Sequence, residues 1–162
     1  MRRLLLQLWG LPWPAWLRRW SALLLDRHWI QRWVVPQFLV GVVGVVQNGE
    51  GEVLLLKHTY RLAHPWGLPT GFLEGHEQPD RALERELREE TGFTIEALEP
   101  ALVYAHRKRR HLNLVYRGRY IGGLFKPSLE VSEAQFFSLD GLPPMLEDQL
   151  WVVREVLRKK VI

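Results

Sequence analysis

Three carboxylates stand close together in the run Arg85-Glu86-Leu87-Arg88-Glu89-Glu90. If the run is helical, Glu86, Glu89 and Glu90 fall at i, i+3 and i+4 and share one face. Such a face has two uses. Flanked by Arg81, Arg85 and Arg88, it is a solvated acidic surface. Alternatively it is a bed for a hard divalent cation, because Mg2+ and Mn2+ take oxygen ligands, commonly one or two carboxylates together with substrate phosphates. A cation held there would polarise a phosphoryl oxygen and make bound water more acidic. The element that must carry the carboxylates is readable. Pro79 suits a first helical position, where its missing N–H is no loss. Gly92 suits the left-handed residue just past a helix end. The spacing therefore predicts a helix over 79–91, with Ala82, Leu83 and Leu87 anchoring it to a sheet.

The wider spacing decides between the two uses. Gly71 is followed after five residues by Glu77, then after seven by Arg85-Glu86-Leu87, then by Glu89-Glu90 and Gly92-Phe93. The stretch 71–93 resembles the Nudix box, G-x5-E-x7-R-E-U-x-E-E-x-G-U with U an apolar residue, at every fixed position. The resemblance extends over roughly residues 37–160. It implies an α/β fold, an α/β/α sandwich with a mixed β-sheet and the box as a loop–helix–loop at one end. It also implies a metal-dependent pyrophosphohydrolase that cleaves a nucleoside diphosphate linked to another moiety, with Mg2+ (or Mn2+) as cofactor. By the same resemblance the metal ligands are Glu86, Glu89, Glu90 and the carbonyl of Gly71, while Arg85 and Glu77 orient the carboxylates. The catalytic set is then Glu86, Glu89, Glu90, Arg85 and Glu130. The general base stays open between Glu86 on the helix and Glu130 or Glu133 in a later loop, with Glu130 favoured. One departure stands out: Thr70 occupies a position where the family often has glycine. It is expected to alter substrate fit, not to abolish activity.

Substrate-binding groups are sought outside the box. Lys57, Arg61 and His64 are cations that would receive phosphate or else belong to a solvated loop. Tyr60, Phe72 or Trp66 would stack on a base, with Trp66 alternatively packed half-buried beside the box. The run Arg107 to Arg110 reads as a basic hairpin tip, so nucleic acid is not expected as a partner. The proline that marks ADP-ribose pyrophosphatases beyond the box is out of place, Pro100 coming too early. The group linked to the diphosphate is therefore not readable.

The chain of 162 residues is long enough for one domain with its own core. With 47% hydrophobic and 25% charged residues it has the composition of a globular protein. It has no cysteine, which excludes disulfides and thiolate metal sites and agrees with a cytoplasmic location. Six of the eight tryptophans and six arginines, against one acidic residue, fall in residues 1–35. This part is expected to be an N-terminal helical arm, with the hydrolase domain over 36–162. The arm would pack on its own domain or form a homodimer, or else lie on an anionic membrane surface. Membrane contact would point to lipid or isoprenoid diphosphates as substrates, with a peripheral membrane location. A non-catalytic Nudix-fold binding module is the remaining alternative, and the intact box glutamates weigh against it. Strands are expected over 38–47, 53–57, 94–104, 112–121 and 134–138, and a second helix over 147–160.

Overall fold

Residues 39–47 and 53–58 are rich in Val and Leu, and both faces of the strands they form are covered. A computed structural model describes residues 37–106 and 110–158. The arm, with the homodimer and membrane contacts assigned to it, lies outside the described residues, as do 107–109 and 159–162. Strand β1 (Leu39–Gln47) and strand β2 (Val53–His58) are joined by a turn in which the Asn48 side-chain oxygen accepts from the Glu50 and Glu52 N–H groups, both at 3.0 Å. The two strands pair at Gln47↔Val53. Further along, the segment that follows β2 carries two short strands, β3 (Trp66–Gly67) on β2 and β4 (Thr70–Phe72) on β1. These two were not foreseen, since two or three residues carry no periodicity.

Strands β5 (Phe93–Ala105) and β6 (His111–Gly123) form a long antiparallel pair, with register breaks around Pro100. Strand β6 runs parallel to β1, and β7 (Val131–Phe137) runs antiparallel to β2. The sheet is thus mixed, in the order β3-β2-β1-β6-β5, with β4 added on β1 and β7 on β2. Strand β7 begins at Val131, earlier than expected, so Glu133 lies inside it.

Helix α1 (Pro79–Thr91) has the predicted limits: Pro79 opens it, and Gly92 closes it at φ 74° with its N–H on the Arg88 carbonyl. Helix α2 spans Glu147–Arg158. The period-2 pattern of the strands sends alternate side chains to opposite faces. Val42, Val46, Leu54 and Leu56 meet Ala82, Leu83 and Leu87 of α1, while Val43, Val45, Val53 and Leu55 meet Val152, Val153 and Val156 of α2. Two apolar cores thus hold the two helices on opposite faces, an α/β/α sandwich, and α1 is fixed by its apolar side with its carboxylates left at the rim.

One buried polar group stands out. His58 is 2% exposed, and neither ring nitrogen meets the distance and angle of a hydrogen bond. Burial, and then the neighbouring Arg61 charge, lower its pKa from 6.5 to about 4. Between those values the unfolded chain binds a proton that the folded chain refuses, so stability falls as pH drops from about 6.5 toward 4. Urea midpoints for wild type and His58→Phe across that window check this. The variant is expected to show a flatter pH dependence, and equal slopes would contradict it.

Candidate active site

Arg85 organises the box. Its Nε and Nη2 donate to the two oxygens of Glu77, at 3.2 and 2.8 Å, and Nη2 also reaches the Phe72 carbonyl at 3.3 Å. The same guanidinium donates to Glu86 at 3.3 Å and to Glu89 at 3.2 Å. A planar fork with five donors suits this multiple grip in a way that an ammonium does not. Glu77 further accepts from the Glu74 N–H at 2.9 Å, which closes the loop before α1. The Arg85 fork first, and the Glu74 N–H second, hold the Glu77 carboxyl below its usual range. Arg85→Lys keeps the charge and loses the fork. We expect kcat to fall about 10- to 100-fold, as when groups that orient metal ligands are changed. A thermal scan is expected to show the fold retained, and unchanged steady-state kinetics would contradict the assignment.

Gly71 sits directly against Glu86. A Cβ at Gly71 would lie 2.8 Å from the Glu86 Cβ and would overlap the rest of that side chain. The missing side chain is what lets β4 approach α1 and brings the Gly71 backbone beside the carboxylate. Glu86 is also held by the Phe72 N–H at 3.2 Å. Its side chain is 21% exposed and that of Glu89 63%, so Glu86 is the inner and Glu89 the outer member of the pair.

Glu90 completes the face. Its Oε2 is buried and has no hydrogen-bond partner. Burial raises its pKa to about 7, and the charges of Glu86, Glu130 and Glu89 push the same way against Arg61. A buried carboxylate oxygen among other carboxylates, with nothing to satisfy it, fits a site built for a cation. All donors on offer are hard oxygens, which suit Mg2+ or Mn2+. Among the described residues no three acidic or histidine side chains converge on one point at metal-bonding distance. Arg85 and the Phe72 N–H engage Glu86, and Arg85 engages Glu89, instead.

These groups line a cavity of about 1080 Å³. That is slightly above the roughly 300–1,000 Å³ common for ligand clefts. Gly71, Glu86, Glu89, Glu90, Arg61, His64 and Glu130 all line it, as does Thr70. Two expected substrate groups do not. The Lys57 ammonium is paired with Glu133 at 2.6 Å across the β2–β7 pair. Trp66 packs edge-on against Phe137 with ring centroids 5.1 Å apart, in the core on the α2 face. The pairing of β7 with β2 places both, and sequence alone does not show it. Glu133, weighed as a base, is taken up by the Lys57 pair and lies outside the cavity. Several lining residues escaped the sequence reading: Tyr104, His106, His111, Asn113, Asp148 and Gln149. The register of β6 on β1 and β5 brings Tyr104, His111 and Asn113 to the site, and His106 donates its N–H to the His111 carbonyl at 2.9 Å.

An α/β/α sandwich with a carboxylate-bearing loop–helix–loop at its cavity is the architecture that the box implies. Residues 37–159 match the NUDIX domain, so the chain belongs to the Nudix family and is a Nudix hydrolase. It is 28% identical over 125 residues to an ADP-ribose pyrophosphatase of Methanocaldococcus jannaschii, covering 75% of this chain and 74% of that protein. It is 33% identical over 105 residues to a MutT-like protein of Streptomyces ambofaciens, covering 65% of this chain and 67% of that protein. The crystal structure of an ADP-ribose pyrophosphatase from Streptococcus suis superimposes with a TM-score of 0.65 at 25% identity, covering 77% of this chain and 96% of the other.

Proposed function

We propose that this chain hydrolyses the phosphoanhydride bond of a nucleoside diphosphate linked to a second group, with Mg2+ or Mn2+ held on the carboxylates of α1. One observation carries the reading: the charge of the cavity. Among the described lining residues there are five carboxylates, Glu86, Glu89, Glu90, Glu130 and Asp148, and one permanent cation, Arg61. A diphosphate is itself anionic, and such a cavity repels it unless cations come with it. The side chains of Glu86, Glu89 and Glu90 and the Gly71 carbonyl would hold the ion. When bound, it neutralises charge on the phosphoryl oxygens and lowers the pKa of water.

The remaining work falls to the chain. Arg85 and the Phe72 N–H fix Glu86, and Arg85 holds Glu89. Arg61 receives a phosphate oxygen, with His64 on the same rim. Glu130 is assigned as general base, because Glu86 already accepts two hydrogen bonds while Glu130 lines the cavity and its charge is felt at Glu90. It takes the proton of the attacking water, whose oxygen joins one phosphorus. The bridging oxygen leaves with the other phosphoryl group and carries the negative charge away. A cytoplasmic location suits a cysteine-free chain acting on nucleotides, and no helix of the described residues is long and apolar enough to cross a membrane.

The names of the relatives put ADP-ribose first in a substrate panel, beside UDP-glucose, diadenosine polyphosphates and nucleoside triphosphates. Turnover of a diphosphate-linked member in Mg2+, abolished by a chelator, is the expected result. Binding without turnover of any member would favour a non-catalytic module instead.

A further inference from the structure

The cavity holds a second polar cluster that the hydrolysis does not use. Tyr104 of β5 and Asn113 of β6 are cross-strand partners, and Asn113 also pairs with Gly41 of β1. A Cβ at Gly41 would lie 2.6 Å from the Asn113 Oδ1 and 3.6 Å from the Gly71 carbonyl oxygen. The glycine thus leaves room for the amide, and the Gly71 carbonyl borders the same space. Trp151 of α2 packs edge-on against Tyr104, centroids 5.7 Å apart, and fixes the phenol in the wall. Asp148, in the first turn of α2, adds a carboxylate near enough to join burial in raising the Tyr104 pKa.

The chemistry of this trio is selective. A phenol and an amide both donate and accept hydrogen bonds, whereas an ionised carboxylate only accepts. Asp148 therefore favours O–H or N–H donors and repels phosphate. Tyr104, Asn113 and Asp148 all line the cavity that the α1 carboxylates open into. We propose that Tyr104, Asn113 and Asp148 form a subsite for an uncharged, hydrogen-bond-donating group attached to the diphosphate, and that Asp148 excludes a phosphate from that place. The donor is a sugar diol. The inference rests on the reading that the diphosphate lies at the α1 carboxylates, and it adds what the chain selects: nucleoside diphosphates with a neutral second group over nucleoside triphosphates.

The test compares wild type, Asp148→Asn and Tyr104→Phe in the full chain. The probes are ADP-ribose, ADP-glucose, UDP-glucose and GDP-mannose, with ATP and GTP carrying phosphate in place of the sugar. Wild type is expected to prefer the sugar-linked diphosphates. Asp148→Asn is expected to lower the ratio of their kcat/KM to that of the triphosphates about 10-fold, the size of one lost hydrogen bond to a charged group. Tyr104→Phe is expected to lower the sugar-linked values without raising the triphosphates. The loss is expected to follow the sugar across a constant base, and a loss that follows the base instead would overturn the subsite. A uniform change across all six probes, or none, would overturn the subsite. Should wild type turn over nothing, the hydrolase reading fails instead. Calorimetric binding of ADP-ribose against ATP by the same three proteins then decides the subsite alone, with equal affinity ratios in all three counting against it.

Discussion

Glu90→Gln is expected to leave the protein folded and to remove its turnover. The two halves of this result have one cause. The Glu90 carboxylate is buried, one oxygen has no partner, and Glu86, Glu130 and Glu89 all repel its charge. Without a cation, the fold therefore favours the protonated form, which a glutamine imitates in shape and charge. The metal-free variant should melt at or above the wild-type temperature near pH 8. Turnover responds the other way, because the neutral amide is a poor ligand for a hard dication. Changing groups that only support metal ligands costs about 10- to 100-fold, so loss of a ligand itself should exceed roughly 10²-fold in kcat. Wild type should also gain thermal stability on adding Mn2+, since anything that binds only the folded state stabilises it, and the variant should gain less. A variant that is inactive and unfolded, or one that is folded and fully active, would each defeat this account of Glu90.

Gly71→Ala is expected to cost activity through geometry alone, with no change of charge. The new Cβ would enter the space of the Glu86 side chain. Either β4 withdraws from α1 or Glu86 turns away, and in both cases the carbonyl at residue 71 and the carboxylate at 86 separate. Displacing a positioned group by about 1 Å can cost on the order of 10² in rate. Overpacking of this kind also costs about 1–3 kcal/mol of stability. Gly75 supplies the control. It lies in the loop between β4 and α1, and a Cβ there would meet nothing within 4 Å. Kinetics and urea unfolding of Gly71→Ala and Gly75→Ala are expected to differ strongly in both respects. Similar, mild effects for the two would show that the close approach of β4 to α1 is not what the site needs.

How far the sequence could be read follows from the range of the forces involved. Helix α1 was legible to the residue because its limits are set locally, by Pro79 at the start and the left-handed Gly92 at the end. Its acidic face was legible because helical periodicity fixes which side chains are neighbours. Glu77 and Arg85 were legible through the box spacing, and their contact joins residues eight positions apart. Lys57 and Trp66 were misplaced because their neighbours are remote in sequence. Lys57 finds Glu133 across 76 positions, through a strand pairing that no local pattern announces. Asn113 and Tyr104 looked like ordinary strand residues. They reach the cavity only because β6 lies parallel to β1 in one particular register, with Gly41 opposite Asn113. The cavity's floor was therefore readable from the box, whereas the wall that selects the second half of the substrate depends on long-range pairing.

The most direct measurement is product analysis after incubating the full chain with ADP-ribose and Mg2+, in parallel with a chelator-treated sample and with Glu86→Gln. The account predicts AMP and ribose 5-phosphate from the wild-type reaction alone, with the other two at background. Equal product in the presence of chelator, or from the Glu86 variant, would contradict a cation-bearing carboxylate face as the source of the activity.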